Sequence, residues 1–182
     1  SSVKLRPSLI SHPSLTPLGY WAKPDQGPRL LVITGAGLSA ESGLSTFRDN
    51  DGLWKKYNID EVCRINSWEK NQKQVHEFYD ALRGIANQSK PNSAHHALAS
   101  LNGPDVVVVT QNVDGLLEKA GAENVLNIHG RLDRLQCVVC DSQWTIPWLY
   151  QASAMPQKCP FCSVPNKVKP GVVFFGEPAP LY

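Results

Sequence analysis

The chain has 182 residues, 42% apolar and 19% charged, and its 18 basic and 16 acidic side chains leave a formal charge of +2. That balance lacks the strongly basic face that nucleic-acid binding asks for, and no apolar run approaches the roughly 18 residues of a membrane helix. Disordered, collagenous and membrane-spanning classes are excluded, and a globular protein with material for a real core remains.

Residues 1–24 carry Lys4, Arg6 and Lys23 and no acid, a composition somewhat like a mitochondrial presequence remnant. Pro7, Pro13 and Pro17 oppose a helix there, so residues 1–28 read as an extended arm. Leu30–Thr34 is a short apolar run without alternation, as expected of a strand buried on both faces of a parallel sheet. Gly35-Ala36-Gly37 breaks it, and Ser39–Ser42 opens a helix. Over residues 66–86, Trp68, Val75, Phe78, Tyr79, Leu82 and Ile85 recur at helical spacing. Short helices are expected at 93–101 and 113–120, and strands at Val106–Thr110, Val125–Ile128 and Val172–Phe175. Strand and helix in alternation predict an α/β fold, a Rossmann-like open parallel sheet with a helical insertion between its first two strands. Residues 130–168 interrupt the rhythm. The expected organisation is therefore an arm over 1–28, a Rossmann-like domain over 29–130 and 169–182, and a small inserted module over 131–168.

That module holds four of the five cysteines, as Cys137-x-x-Cys140 and Cys159-x-x-Cys162. Thiolates at this spacing converge on one ion from two turns, and four of them close a tetrahedron, so the pattern predicts structural Zn²⁺ with no open position for catalysis. Redox pairs or disulfides are the competing reading. Cys63 stands alone, and an odd count suits a reducing compartment better than a secreted disulfide scaffold.

Gly35-Ala36-Gly37-Leu38-Ser39-Ala40 fits the dinucleotide fingerprint directly after a strand: Gly35 allows the tight turn and Gly37 a close approach to a pyrophosphate. An ordinary Gly-rich turn has the same pattern. A hydride-transfer enzyme places an acid at the tip of the next strand, about 20 residues on. Here that strand follows roughly 70 residues later and ends in Thr110-Gln111-Asn112, which disfavours hydride transfer. Gln111, Asn112 and Asp114 instead cluster at a strand's carboxyl end, where open α/β sheets bind ligands, and His129 follows the next strand. An imidazole so placed can act as a general base near neutral pH; a capping or core histidine is the alternative.

In combination these segments resemble the sirtuin family of NAD-dependent protein lysine deacylases. The resemblance runs through Gly35–Gly43, Thr46-Phe47-Arg48, Thr110–Asp114, Ile128-His129-Gly130, both cysteine pairs and Val172–Glu177, in the family's order over residues 29–177. It implies that Gly35, Ala36, Gly37 and Ser39 line the phosphates and ribose of NAD. It further implies that Phe47 and Arg48 cover the nicotinamide end, that Gln111 holds the ribose hydroxyls, and that Asn112 and Asp114 sit near the nicotinamide amide. His129 would be the base; the acyl-lysine oxygen attacks the ribose carbon, nicotinamide leaves, and the acyl group departs on ADP-ribose. Val173, Phe175, Gly176 and Glu177 would form the edge to which the acylated peptide adds as a strand. The implied partners are acylated protein lysines, without nucleic acid or membrane, in a bacterial-type cytoplasm or alternatively a mitochondrion.

Two departures bear on this. Family members that remove acidic acyl groups carry Tyr and, three residues later, Arg; here Tyr79 is followed by Leu82, with Arg83 one residue on and about 100° around the helix. The resemblance also calls for a later Gly-Thr-Ser strand end and an Asn-bearing one, and neither occurs before Tyr182. A fragment, or a partial sirtuin that binds NAD and peptide with weak turnover, is therefore expected beside the enzyme reading, with ADP-ribosyl transfer as a third possibility.

Overall fold

Side chains branched at Cβ are stiff and favour a pleated surface, and the Val106–Val109 run accordingly forms a strand. The computed structural model describes residues 30–44 and 53–178, so the arm expected over residues 1–28 lies outside the described residues. In chain order, β1 (Leu30–Thr34) leads to α1 (Gly37–Ala40), α2 (Leu53–Lys56), α3 (Ile59–Val62), α4 (Ile65–Trp68), the long α5 (Gln72–Gln88) and α6 (Ser93–Ala99). Then follow β2 (Val106–Thr110), α7 (Leu116–Lys119), β3 (Val125–Asn127), β4 (Gly130–Cys137), β5 (Gln143–Thr145), a 3-10 turn (Ala152–Ala154) and β6 (Val168–Val172). Among the described residues no helix is long and apolar enough to cross a membrane.

β1, β2 and β3 form a parallel sheet in that order, with Leu30 opposite Val106, Thr34 opposite Thr110 and Val108 opposite Val125. Alternate residues of a strand face opposite sides. One side, through Val32, Val108 and Val125, packs against Leu98 and Ala99 of α6 and Leu117 of α7. On the other side Leu31 is 50% and Ile33 69% exposed. The expected burial of β1 on both faces is thus met on one only. An unbroken apolar run signals two-faced burial when a second helical layer exists, and the described residues do not complete that layer.

β4, β5 and β6 build a second, antiparallel sheet in the order β5-β4-β6, with Leu135 between Trp144 and Pro170. Two expectations change here. Residues beyond 130 contain sheet of their own, and the last strand forms over Val168–Val172 and joins this sheet, not the parallel one. Close approach explains the pairing: a Cβ on Gly130 would lie 2.1 Å from the Gly171 oxygen, and one on Gly171 would lie 2.5 Å from Arg134 Cβ. Only two glycines let these backbones meet.

α5 packs against the second sheet. Its Val75, Phe78, Tyr79 and Ala86 enter the largest core cluster with Val62, Trp68, Leu132, Val172 and Phe174. Ile85, expected on that face, is exposed; Arg83 takes the inward position. The guanidinium is fully buried, and it donates to Leu132 O at 2.7 Å, Tyr150 O at 2.7 Å and the Asp80 carboxylate at 2.8 Å. Asp80 in turn accepts the Ala152 and Ser153 amides at 3.0 and 2.8 Å. Every charge here has a partner, as burial of charge demands.

Candidate functional site

The carboxyl ends of β1, β2 and β3 meet in one place. The Gln111 amide continues the ladder by donating to Thr34 O at 3.0 Å, which leaves the Gln111 side chain exposed at the strand tip. The Asn112 amide donates to Thr110 Oγ1 at 3.0 Å, and its side chain reaches across to β1's exit, donating to Gly35 O at 3.0 Å. Ala36 and Gly37 are exposed, and nothing stands within 4 Å of a Cβ built on Gly37. An open glycine backbone beside amide and carboxylate groups at strand tips fits the phosphate and ribose of a dinucleotide. Phe47 and Arg48 lie outside the described residues.

Ser39 is the hub of this cluster. It is buried on α1, and its hydroxyl donates to Asp114 Oδ2 at 2.6 Å while accepting from Asn112 Nδ2 at 3.2 Å. Its third neighbour is His95 Nε2 at 3.4 Å. The directions follow from α6: Asn92 caps that helix, and its backbone N–H donates to His95 Nδ1 at 3.1 Å, so Nδ1 accepts and Nε2 carries the proton. His95 therefore donates to Ser39, and burial lowers its pKa from the ordinary histidine value. Asn92 Nδ2 adds a bond to Leu38 O at 2.8 Å, locking α6 onto the Gly-rich turn. Sequence reasoning missed Asn92 and His95. The only signal was the Asn-x-x-His capping pattern, which says nothing of a serine 56 residues away.

His129 leaves β3 half-buried, with Nδ1 3.2 Å from Gln111 O. A carbonyl only accepts, so Nδ1 carries the proton in this contact and Nε2 of the neutral ring holds a lone pair. Its own carbonyl accepts the Val173 amide at 2.9 Å, which joins the histidine to the segment after β6. There Phe175 is exposed while its amide donates to Cys63 O at 2.8 Å and its carbonyl accepts from Ile65. Gly176 is exposed at φ +86°, and the Glu177 carboxylate accepts the Phe174 amide at 2.7 Å. Tyr79 is buried behind this segment, stacked on Phe174 at 5.5 Å, and its hydroxyl donates to Cys63 Sγ at 3.6 Å. Burial pushes the Cys63 thiol up to about 11, so both groups are neutral at physiological pH. Leu82 packs at the border of the same cluster.

The four paired cysteines converge: their sulfurs all lie within 4.8 Å of one another, with Cys137–Cys162 at 3.7 Å and Cys140–Cys159 at 3.6 Å. A tetrahedron with ~2.3 Å zinc–sulfur bonds has edges of about 3.8 Å, so the sulfur set fits zinc. The Val139 amide points at Cys137 Sγ and the Phe161 amide at Cys159 Sγ, each at 3.4 Å, which stabilises thiolate charge. Hydrogen bonding to Ser142 pulls the Cys140 thiol down to about 6. None of the five cysteines is in a disulfide.

Fold and site together define a class: a Rossmann-like α/β protein with a second, cysteine-bearing sheet and a polar cluster at the parallel strands' carboxyl ends. Comparison with known proteins carries this further. The Sir2 family model matches residues 35–181, and the chain belongs to that family. A Campylobacter jejuni protein named NAD-dependent protein deacylase is 43% identical over 156 residues, covering 84% of this chain and 65% of that protein. Among solved structures, a Sir2 homologue in complex with NAD matches with a TM-score of 0.72 and 37% identity, over 82% of this chain and 59% of the other. A Sir2 protein with a deacetylated p53 peptide and 3′-O-acetyl ADP-ribose matches with a TM-score of 0.67 and 32% identity, over 84% and 63%. The chain thus spans somewhat less than two thirds of these relatives' length.

Proposed function

We propose that this chain carries the ribose and nicotinamide side of an NAD-dependent protein lysine deacylase, acting on acylated lysines of other proteins. The observation behind this reading is the His129 ring, oriented through Nδ1 by Gln111 O, near Asn112, Asp114 and Ser39 at the parallel strand tips. Gly35, Ala36, Gly37 and Ser39 would hold the phosphates, Gln111 the ribose hydroxyls, and Asn112 and Asp114 the nicotinamide amide. When bound, NAD supplies a ribose carbon activated by a good leaving group. His129 Nε2 would accept a proton from a ribose hydroxyl of bound NAD, with the ring kept aligned by Nδ1–H on Gln111 O. The segment Val173–Glu177, with Phe175 and Gly176 exposed and Phe174 buried, would present its backbone to the acyl peptide near this base. Thiolate ligands suit a reducing, cytoplasmic-type setting.

The test is deacylation of acetyl-lysine peptides by the full-length protein with NAD. His129→Ala is expected to lower turnover by roughly 10²–10⁴-fold with little change in melting temperature. Undiminished turnover ends the base assignment, and a large loss of stability would make His129 a packing residue.

Acyl choice provides a second check. Arg83 is held by Asp80, Leu132 and Tyr150, and the Tyr79 hydroxyl by Cys63, so neither meets an acidic acyl chain. A carboxylate taken from water without a cation is strongly disfavoured. Measured side by side, kcat/KM is expected to favour acetyl and butyryl over succinyl peptides, and Leu82→Arg to shift selectivity toward succinyl. A succinyl preference in the unmodified protein refutes this.

A further inference from the structure

Lys169 lies in β6, and its side chain is fully buried. An ammonium has three protons and needs three acceptors when removed from water. Here it finds Val172 O at 2.6 Å, Pro170 O at 3.2 Å and Glu177 Oε2 at 3.2 Å, with the Phe174 ring 4.6 Å beneath it. None of these partners belongs to the thiolate site, and nothing in the proposed chemistry calls for a cation at this point. The lysine instead closes a turn.

The turn is Phe174–Glu177. Its two ends are bonded reciprocally: the Phe174 amide donates to the Glu177 carboxylate at 2.7 Å, and the Glu177 amide donates to Phe174 O at 3.0 Å. Gly176, at φ +86°, lets the backbone reverse between them. The carboxylate stays in this place only while a cation neutralises it, because an uncompensated charge at a largely buried site moves toward water. Lys169 therefore holds Glu177, Glu177 holds the Phe174 amide, and the Val172 carbonyl is fixed from the other side by the same ammonium. The residue between, Val173, donates to His129 O, and Phe175 beyond it is clamped between Cys63 and Ile65.

We infer that Lys169 is a positioning residue for the acyl-lysine peptide: through Glu177 and Val172 it fixes the turn Phe174–Glu177 and with it the backbone that the peptide meets. The inference rests on the deacylase reading. A preformed edge removes the ordering entropy that a loose segment would lose on binding, so the lysine acts on peptide affinity and not on NAD.

The experiment uses the full-length protein with Lys169→Met, Lys169→Arg and the charge-balanced pair Lys169→Met with Glu177→Gln. Three quantities are read: amide exchange at Phe174 and Glu177 without ligand, Kd for a non-turning-over acetyl-lysine peptide, and Kd for NAD. Lys169→Met is expected to speed exchange at both amides and weaken peptide binding, each on the order of ten-fold, the size of one lost buried charged hydrogen bond. NAD affinity should stay within about two-fold, and Lys169→Arg should rescue most of the peptide affinity. If the single variant does not fold, the paired variant restores charge balance and should still bind peptide weakly. A residue needed only for stability would lower the melting temperature and leave peptide Kd unchanged; that result overturns the inference, as do unchanged exchange rates. Wild-type protein that binds no acyl peptide overturns the deacylase reading and this inference with it, whereas wild-type binding that no Lys169 variant alters overturns this inference alone.

Discussion

The parallel sheet β1–β3 and the antiparallel sheet β4–β6 are held in different ways. The first relies on backbone ladders and one apolar face, with Leu31 and Ile33 left to solvent on the other. The second is fastened by polar groups: the buried Arg83 with Asp80, Lys169 with Glu177, His76 on Val168 O, and four converging sulfurs, two of them on exposed cysteines. Apolar contacts degrade by increments when trimmed, whereas a buried charge that loses its partner fails abruptly. The proposed chemistry stands on the tolerant sheet, and the brittle one holds the histidine and the peptide edge in place.

Removing metal breaks the comparison most severely. Apparent binding energies of structural zinc are about 10–16 kcal/mol in zinc-finger peptides, and they count directly as folding energy. The reduced protein is expected to hold one zinc, and chelation to expose residues 131–168 to hydrogen exchange before β1–β3. Absence of zinc, or a disulfide among Cys137, Cys140, Cys159 and Cys162, contradicts this. Next in size is Arg83→Met. It strands the Asp80 carboxylate and should lower unfolding free energy by about 3–5 kcal/mol in denaturant titration. Adding Asp80→Asn should recover part of the loss, and a neutral single variant would show that the pair is not under tension.

Acid sharpens the comparison with a smaller effect. Burial lowers the pKa of His76, on α5 against the second sheet, and of His95 beside the first. In the unfolded chain both titrate near 6.5. Both fold neutral, so their contribution is intact above that pH and is lost as pH falls below it, because the unfolded chain binds the protons. The slope between roughly pH 6.5 and the folded values approaches ~1.4 kcal/mol per pH unit for each group. Melting curves from pH 7.5 to 5 check this. His76→Gln should flatten the loss in the second sheet and His95→Gln that near the Gly-rich turn.

The strands Leu30–Thr34 and Val106–Thr110 were readable to the residue, since short uninterrupted runs rich in aliphatic and β-branched residues and bounded by turn residues have little choice. The cysteine spacing likewise foretold a sulfur cluster. What was not readable depends on partners distant in the chain. Val172–Phe175 is more strand-like by composition than Val168–Val172, which carries Pro170 and Gly171, and the close approach of Gly130 and Gly171 favours the upstream register. Apolar periodicity placed Ile85 inward because it has no means of anticipating a buried arginine paired through Nε and Nη1. The tautomer of His95, and so the direction of its bond to Ser39, came from an N-cap that composition does not reveal.

The bond from the Val173 amide to the His129 carbonyl, next to the glycine pair, has a kinetic meaning. His129 sits on the seam where the chain leaves one sheet for the other, with no side chain at Gly130 to act as a spacer. Any transient excursion that parts β4 from β6 pulls on the histidine backbone and on the peptide edge at once. Under the proposed function both would be ready or unready together, and the opening equilibrium of a sheet with no proposed chemical role would set the fraction of molecules in that state.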